Sequence, residues 1–190
     1  DEYIDVMNVK GQGFCPKVKT VENFDIKIFD QYKRNGENHK ISSTNHIAEK
    51  GGQCSYAQYT PNGEHFDVKN YHVEDGELKL IEGYARAAAE AGKMIHSLPY
   101  GGITDNVLNV LATDNKNYAI VYHCNFNAKN YSYRSKNFQY YLLWVFSRSK
   151  ELTPEANAAL EAVYKANTFL NREDLIKVDF SKKACQISGT

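Results

Sequence analysis

The sequence predicts an all-β domain, an antiparallel sandwich or barrel, with a single helix after it. Three observations carry this. Short apolar-alternating runs broken by turn residues fill positions 36–149, no helical periodicity separates them, and one capped amphipathic segment follows the last run. The 190 residues, 1–190, read as one domain, because a single β-barrel can reach this length.

Taken in order, residues 1–23 carry Gly11, Gly13 and Pro16 and read as irregular. Pro61-Asn62-Gly63 separates a strand at 55–60 from one at 65–73, and Glu74-Asp75-Gly76 leads on to 78–85. A strand at 93–100 follows. Gly101-Gly102 precedes 107–113, and Asp114-Asn115-Lys116-Asn117 turns that strand into 118–126. The run 138–147 closes the series. Thr153 then offers a helix cap, with Pro154 at the first helical position and Glu155 near the positive end of the dipole. Ala156, Ala159, Leu160, Val163 and Tyr164 recur at helical spacing, so this helix is expected to lie against the outside of the β structure. Residues 174–180 read as a short extended piece leading to Cys185.

Composition excludes several classes. Lys+Arg and Asp+Glu each total 23, which gives no basic excess for nucleic acid or an anionic membrane surface. No stretch approaches the ~18 apolar residues of a membrane span. Asp1, with no basic-plus-apolar leader before it, reads as the start of a processed chain. Fourteen Tyr against one Trp suits half-buried strands and pocket walls, where one end of the ring is dry and the other hydrogen-bonds. The cysteines, Cys15, Cys54, Cys124 and Cys185, form no CxxC and no zinc-finger spacing with histidine. Their even number suits two disulfides in an oxidising compartment, and sequence alone leaves all three pairings open. Asn130-Tyr131-Ser132 is a glycosylation acceptor in a polar stretch. No G-x-S-x-G, HExxH or Walker sequence occurs, so no enzyme is expected.

Period-two parity suggests which side chains face inward. One face of 65–73 carries Phe66, Val68, Asn70 and His72; one face of 93–100 carries Met94, His96, Leu98 and Tyr100. One choice for 118–125 gives Ala119, Val121, His123 and Asn125, and 138–148 gives Tyr140, Leu142, Trp144, Phe146 and Arg148. An interior built from such rows is apolar with a few convergent polar groups, the character of a small-molecule site.

Several segments in order resemble one family. Cys15-Pro16 with Val21-Glu22-Asn23-Phe24-Asp25, Gln58 to Gly63, Val68 to Val73, Val110 to Ile120, Trp144 to Lys150 and Asp179 to Cys185 are similar to the insect bilin-binding protein and insecticyanin branch of the lipocalins, relatives of apolipoprotein D. The likeness spans roughly 14–187 and implies an eight-stranded antiparallel up-and-down barrel with one helix outside. It also implies disulfides Cys15–Cys124 and Cys54–Cys185, each worth at most ~4–5 kcal/mol in a loop-entropy picture. One departure stands out. Gly36-Glu37-Asn38 occupies the place of the family's G-x-W in a segment, 31–41, longer than in the family, so the indole that plugs the barrel floor beneath Arg148 is missing.

The resemblance further implies an extracellular carrier that holds biliverdin noncovalently and colours haemolymph or cuticle. Asn70, His72, Ile81, Leu98, Tyr100, His123, Tyr140 and Leu142 fall at pocket-lining positions of the family, with Asn70 and His72 as the polar anchors. With both disulfides formed no cysteine is spare for a thioether link. The alternative is another apolar cargo: a fatty acid, carotenoid, retinoid or pheromone. Self-association is compatible with either.

Overall fold

A computed structural model of the chain describes residues 16–29, 37–44, 52–97, 106–124 and 141–189. Its strands are β1 (Glu37–Thr44), β2 (Gln53–Asn62), β3 (His65–Glu74), β4 (Glu77–Ala87), β5 (Lys93–Ser97), β6 (Asn106–Thr113), β7 (Tyr118–Cys124), β8 (Tyr141–Ser147) and β9 (Leu175–Lys177), with the helix α1 (Pro154–Ala166) between β8 and β9. From β2 to β8 each strand is antiparallel to the next, and β1 pairs with both β2 and β8. The sandwich alternative therefore falls away: the first eight strands close into an up-and-down barrel. Closure runs through β1, whose register slips between Lys40 and Ser42, a bulge that lets one strand bend from β2 to β8. This strand begins within Gly36-Glu37-Asn38, and Asn38 falls opposite Ala57.

The turn expected at 61–63 sits later. β2 continues through Pro61 and Asn62, and Gly63-Glu64 makes the two-residue hairpin, with Gly63 at φ +64°. Proline is tolerated there for a geometric reason. Asn62 and His65 are the hydrogen-bonded pair that flanks the turn, so the nitrogen of Pro61, opposite Phe66, points away from β3. The 174–180 piece is shorter than expected. Asp174 ends a 3-10 turn whose first N–H groups are capped by Asn171, and only Leu175–Lys177 extends, against Ser42, Ser43 and Thr44 of β1. The outer ends of three expected strands, 98–100, 125–126 and 138–140, lie outside the described residues.

Two apolar layers result. Inside the barrel Val68, Ala85, Met94, Leu108, Val110, Val121 and Trp144 pack together. Outside, Ile120, Tyr122, Leu143 and Val145 pack against Val163 and Tyr164 of α1 and Leu170 beyond it. β7 and β8 are covered on both faces, so they read as continuous apolar runs without alternation. Thr153 caps α1 as expected, its hydroxyl accepting from Ala156 N at 3.2 Å.

The chain before β1 closes one end. Val21 N donates to Val110 O at 3.0 Å, Thr20 Oγ1 donates to Ala91 O at 2.8 Å, and Asp25 N donates to Asn115 Oδ1 at 3.1 Å. Ile28 enters the inner apolar cluster, and Val21, Phe24 and Ile26 pack against it. Aliphatic and phenyl groups from this segment thus pack against the inner cluster at the floor. The strap crosses so closely over Gly92, at φ +70°, that a Cβ there would run into Thr20 and the Val21 carbonyl.

Cys54 and Cys185 form a disulfide across 131 residues. Cys124 is also disulfide-bonded; its expected partner, Cys15, lies outside the described residues.

Candidate ligand-binding site

The inner wall is clearest on β3. Phe66, Val68, Asn70 and His72 are buried, whereas Asp67 and Lys69 between them are exposed, as strand pleating requires. Phe66 lies near the hairpin at the strapped end, and His72 lies two residues from the opposite rim. Polarity therefore rises from floor to mouth.

Register places the other expected residues. Asn70 stands between Ala57 on β2 and Ile81 on β4, and Ile81 packs against the inner cluster. His123 and Leu142 are opposite one another on β7 and β8, and both are buried. β3 and β7 stand four strands apart in a ring of eight, so these two groups of residues face each other across the lumen. Small residues interrupt this wall: Ala57 beside Asn70, Gly83 opposite Val68, and Ala85 opposite Phe66 nearer the floor. An eight-stranded barrel has room for one small ligand only where side chains leave it unfilled. Leu98, Tyr100 and Tyr140 lie outside the described residues.

The polar groups differ in how they are held. His123 Nδ1 donates to Val107 O at 2.8 Å, which fixes Nδ1 as a protonated nitrogen. His72 Nε2 is buried and makes no hydrogen bond among the described residues; Glu74 Oε2 lies 3.6 Å from it. Deeper in, Tyr59 Oη lies 3.2 Å from His96 Nε2. Burial pushes the Tyr59 phenol far above the ordinary tyrosine range. It stays protonated and can donate to the imidazole. Tyr59 lies outside the four strands whose parity is read from the sequence, yet the alternation Ser55, Ala57, Tyr59 along β2, all buried, carries the same period-two signal.

No group of three or more His, Cys, Asp or Glu suited to a metal occurs among the described residues. No helix there is long and apolar enough to cross a membrane.

The model of the lipocalin / cytosolic fatty-acid binding protein family matches residues 35–182. The chain is a lipocalin. It is 39% identical to the bilin-binding protein of Pieris brassicae over 185 residues, covering 96% of this chain and 92% of that protein. Insecticyanin-B of Manduca sexta is 33% identical, covering 94% of this chain and 84% of its own length. The solved structure of insecticyanin from Manduca sexta superposes with a TM-score of 0.75 at 31% identity, covering 93% of this lipocalin and 92% of that chain. This lipocalin is a carrier of a small apolar ligand, not an enzyme.

Proposed function

We propose that this lipocalin carries biliverdin, bound noncovalently in the barrel as a pigment, in an extracellular setting such as haemolymph or cuticle. The observation that carries the reading is His72 Nε2, a buried nitrogen facing the lumen with no hydrogen-bond partner among the described residues. A polar atom buried without a partner costs ~1–3 kcal/mol, and a ligand that supplies the partner recovers it. A linear tetrapyrrole fits such a wall. Its rings need apolar surface, and its lactam and propionate groups need donors near the mouth, where Asn70 and His72 lie.

Relatives that are bilin-binding proteins and insecticyanins support the same choice. His72 and Asn70 would anchor the polar end, Ile81 and Leu142 would pack on the rings, and His123 would face them from the opposite wall. The same reading gives Leu98, Tyr100 and Tyr140 wall positions. Cys54, Cys124 and Cys185 are all disulfide-bonded, which favours noncovalent holding and an oxidising, extracellular location.

Titration of ligand-free protein with biliverdin tests this. The expected result is one equivalent bound with a sharpened long-wavelength red band. Displacement by neither biliverdin nor bilirubin of a prebound fluorescent fatty acid, with oleate or retinol displacing it, would assign the cavity to a colourless lipid instead.

A further inference from the structure

Beyond β9 the chain returns to the mouth of the barrel. Where β2 begins, Asp179 N donates to Gln53 Oε1 at 2.7 Å and Cys54 N donates to Asp179 O at 2.9 Å. Cys185 is bonded to Cys54, and Ser188 N donates to Gly76 O at 2.8 Å. The segment 178–189 thus runs from the start of β2 to the tip of the β3–β4 hairpin. That tip is Asp75-Gly76, at φ +52° and +77°, the left-handed pair of a two-residue turn between Glu74 and Glu77. It projects past β2, whose first residue, Gln53, stands opposite Val73. Ser188 Oγ is so close to Gly76 that a Cβ there would run into it, and a bare glycine backbone allows the approach. Between segment and hairpin lies a cleft of about 710 Å³ lined by Asp75, Lys183 and Gln186 among others. Lys183, Gln186 and Ser188 are exposed, so the contact buries little apolar surface and can open without unfolding the barrel.

We propose that the segment 178–189, tied down at Cys185, latches the β3–β4 hairpin at the mouth and so sets how fast the cargo leaves. Ser188 is a positioning residue, acting through the Gly76 carbonyl on the end of β3. Glu74 is the last residue before the turn, and its Oε2 lies 3.6 Å from the Nε2 of buried His72. With the Ser188–Gly76 bond made, the hairpin tip is fixed at both its base and its turn, and the His72 end of β3 cannot swing outward. With the bond broken, only the pairing of β3 with β2 up to Val73 holds that end in place. The proposal rests on the reading that His72 meets the ligand. Variants of one site differ mainly in dissociation rather than association, so the effect is expected in the rate of release.

Two variants separate the bond from the side chain. Ser188→Pro removes the N–H that Gly76 accepts and keeps both cysteines, whereas Ser188→Ala keeps the N–H. In ligand-free protein, hydrogen exchange across residues 73–80 should be about tenfold faster in Ser188→Pro and unchanged in Ser188→Ala. Release of prebound biliverdin into an albumin trap should quicken by about the same factor in Ser188→Pro alone, with the melting temperature of ligand-free protein unmoved. Truncation after Ile187 should act like Ser188→Pro, and it replaces that variant if proline disturbs the fold. Unchanged exchange across 73–80 overturns the proposal. So does faster exchange without faster release, and so does a Ser188→Ala variant that behaves like Ser188→Pro. If wild-type protein binds no biliverdin, the cargo reading fails by itself. The exchange arm still decides the latch, and release is then read with the fluorescent fatty acid.

Discussion

His72 Nε2 lies 3.6 Å from Glu74 Oε2 at the rim where β3 leaves the barrel, a separation longer than a hydrogen bond. The imidazole is buried and Glu74 is 40% exposed, so the carboxylate is largely satisfied by water while the ring nitrogen is not. On the proposed reading, that asymmetry leaves the His72 nitrogen for a ligand rather than for the fold. His72→Ala is expected to weaken biliverdin binding about tenfold, the loss of one desolvated hydrogen bond. The melting temperature of ligand-free protein should hardly move. Both quantities on the one variant decide the matter: unchanged affinity with lost stability would make His72 structural.

The Cys54–Cys185 bridge closes a loop of 131 residues and ties the C-terminal segment to β2, beside the contact of Cys54 N with Asp179 O at 2.9 Å. Replacing both cysteines by alanine is expected to lower stability by up to about 5 kcal/mol, the ceiling that loop entropy sets. Denaturant unfolding measures it. Peptide mapping without reductant should show this bridge and, joined to Cys124, a peptide containing Cys15; a free thiol at Cys15 would sink the second pairing.

Gly63 and Gly92 share a left-handed backbone, with φ +64° and +70°, but differ in surroundings. Nothing stands near a Cβ at Gly63, whereas Gly92 is overlain by Thr20 and Val21. Gly63→Ala should cost about 1–2 kcal/mol, the backbone penalty alone. Gly92→Ala should cost about 3 kcal/mol or more, because the strap over the floor must also shift. Equal losses in the two variants would show that the strap does not press on this turn.

Asp114 organises the β6–β7 hairpin. Its Oδ1 accepts from Lys116 N at 2.9 Å, Asn117 N at 2.6 Å and Tyr118 N at 3.2 Å. Burial alone would raise its pKa, but these N–H groups and the Asn117 amide outweigh it and hold the carboxyl below the usual range. A depressed carboxylate stabilises the fold above the unfolded value of ~3.9 and loses that contribution as pH falls through the lower folded value. Asp114→Ala should therefore cost about 1 kcal/mol near neutral pH, at the low end because the turn meets solvent. The gap from wild type should narrow below pH ~4. A gap independent of pH would mean that the charge is not what holds the turn.

Much was legible in the sequence because it rests on local rules. Alternation along 65–73 gave the inward row Phe66 to His72, since pleating fixes parity whatever the neighbours do. Thr153 and Pro154 marked the start of α1, and Asp114 with Asn117 marked a turn, because each satisfies backbone groups within its own few residues. The cysteine count and charge balance limited the compartment and the partners.

Other features needed the closed barrel. Whether the strands form a sandwich or a ring depends on β1 reaching both β2 and β8, a non-local pairing made through a bulge that no local pattern announces. Both faces of 118–123 are apolar, so parity could not choose between them. The helix decided it by covering Ile120 and Tyr122 and leaving Ala119, Val121 and His123 to the lumen. The Tyr59–His96 contact joins residues 37 apart in the chain. The sequence by itself determined the elements and their amphipathic faces, because those follow from bonding within a few residues. Only the tertiary structure decided which face is inside and which polar groups meet there, because closing a ring of strands fixes both at once.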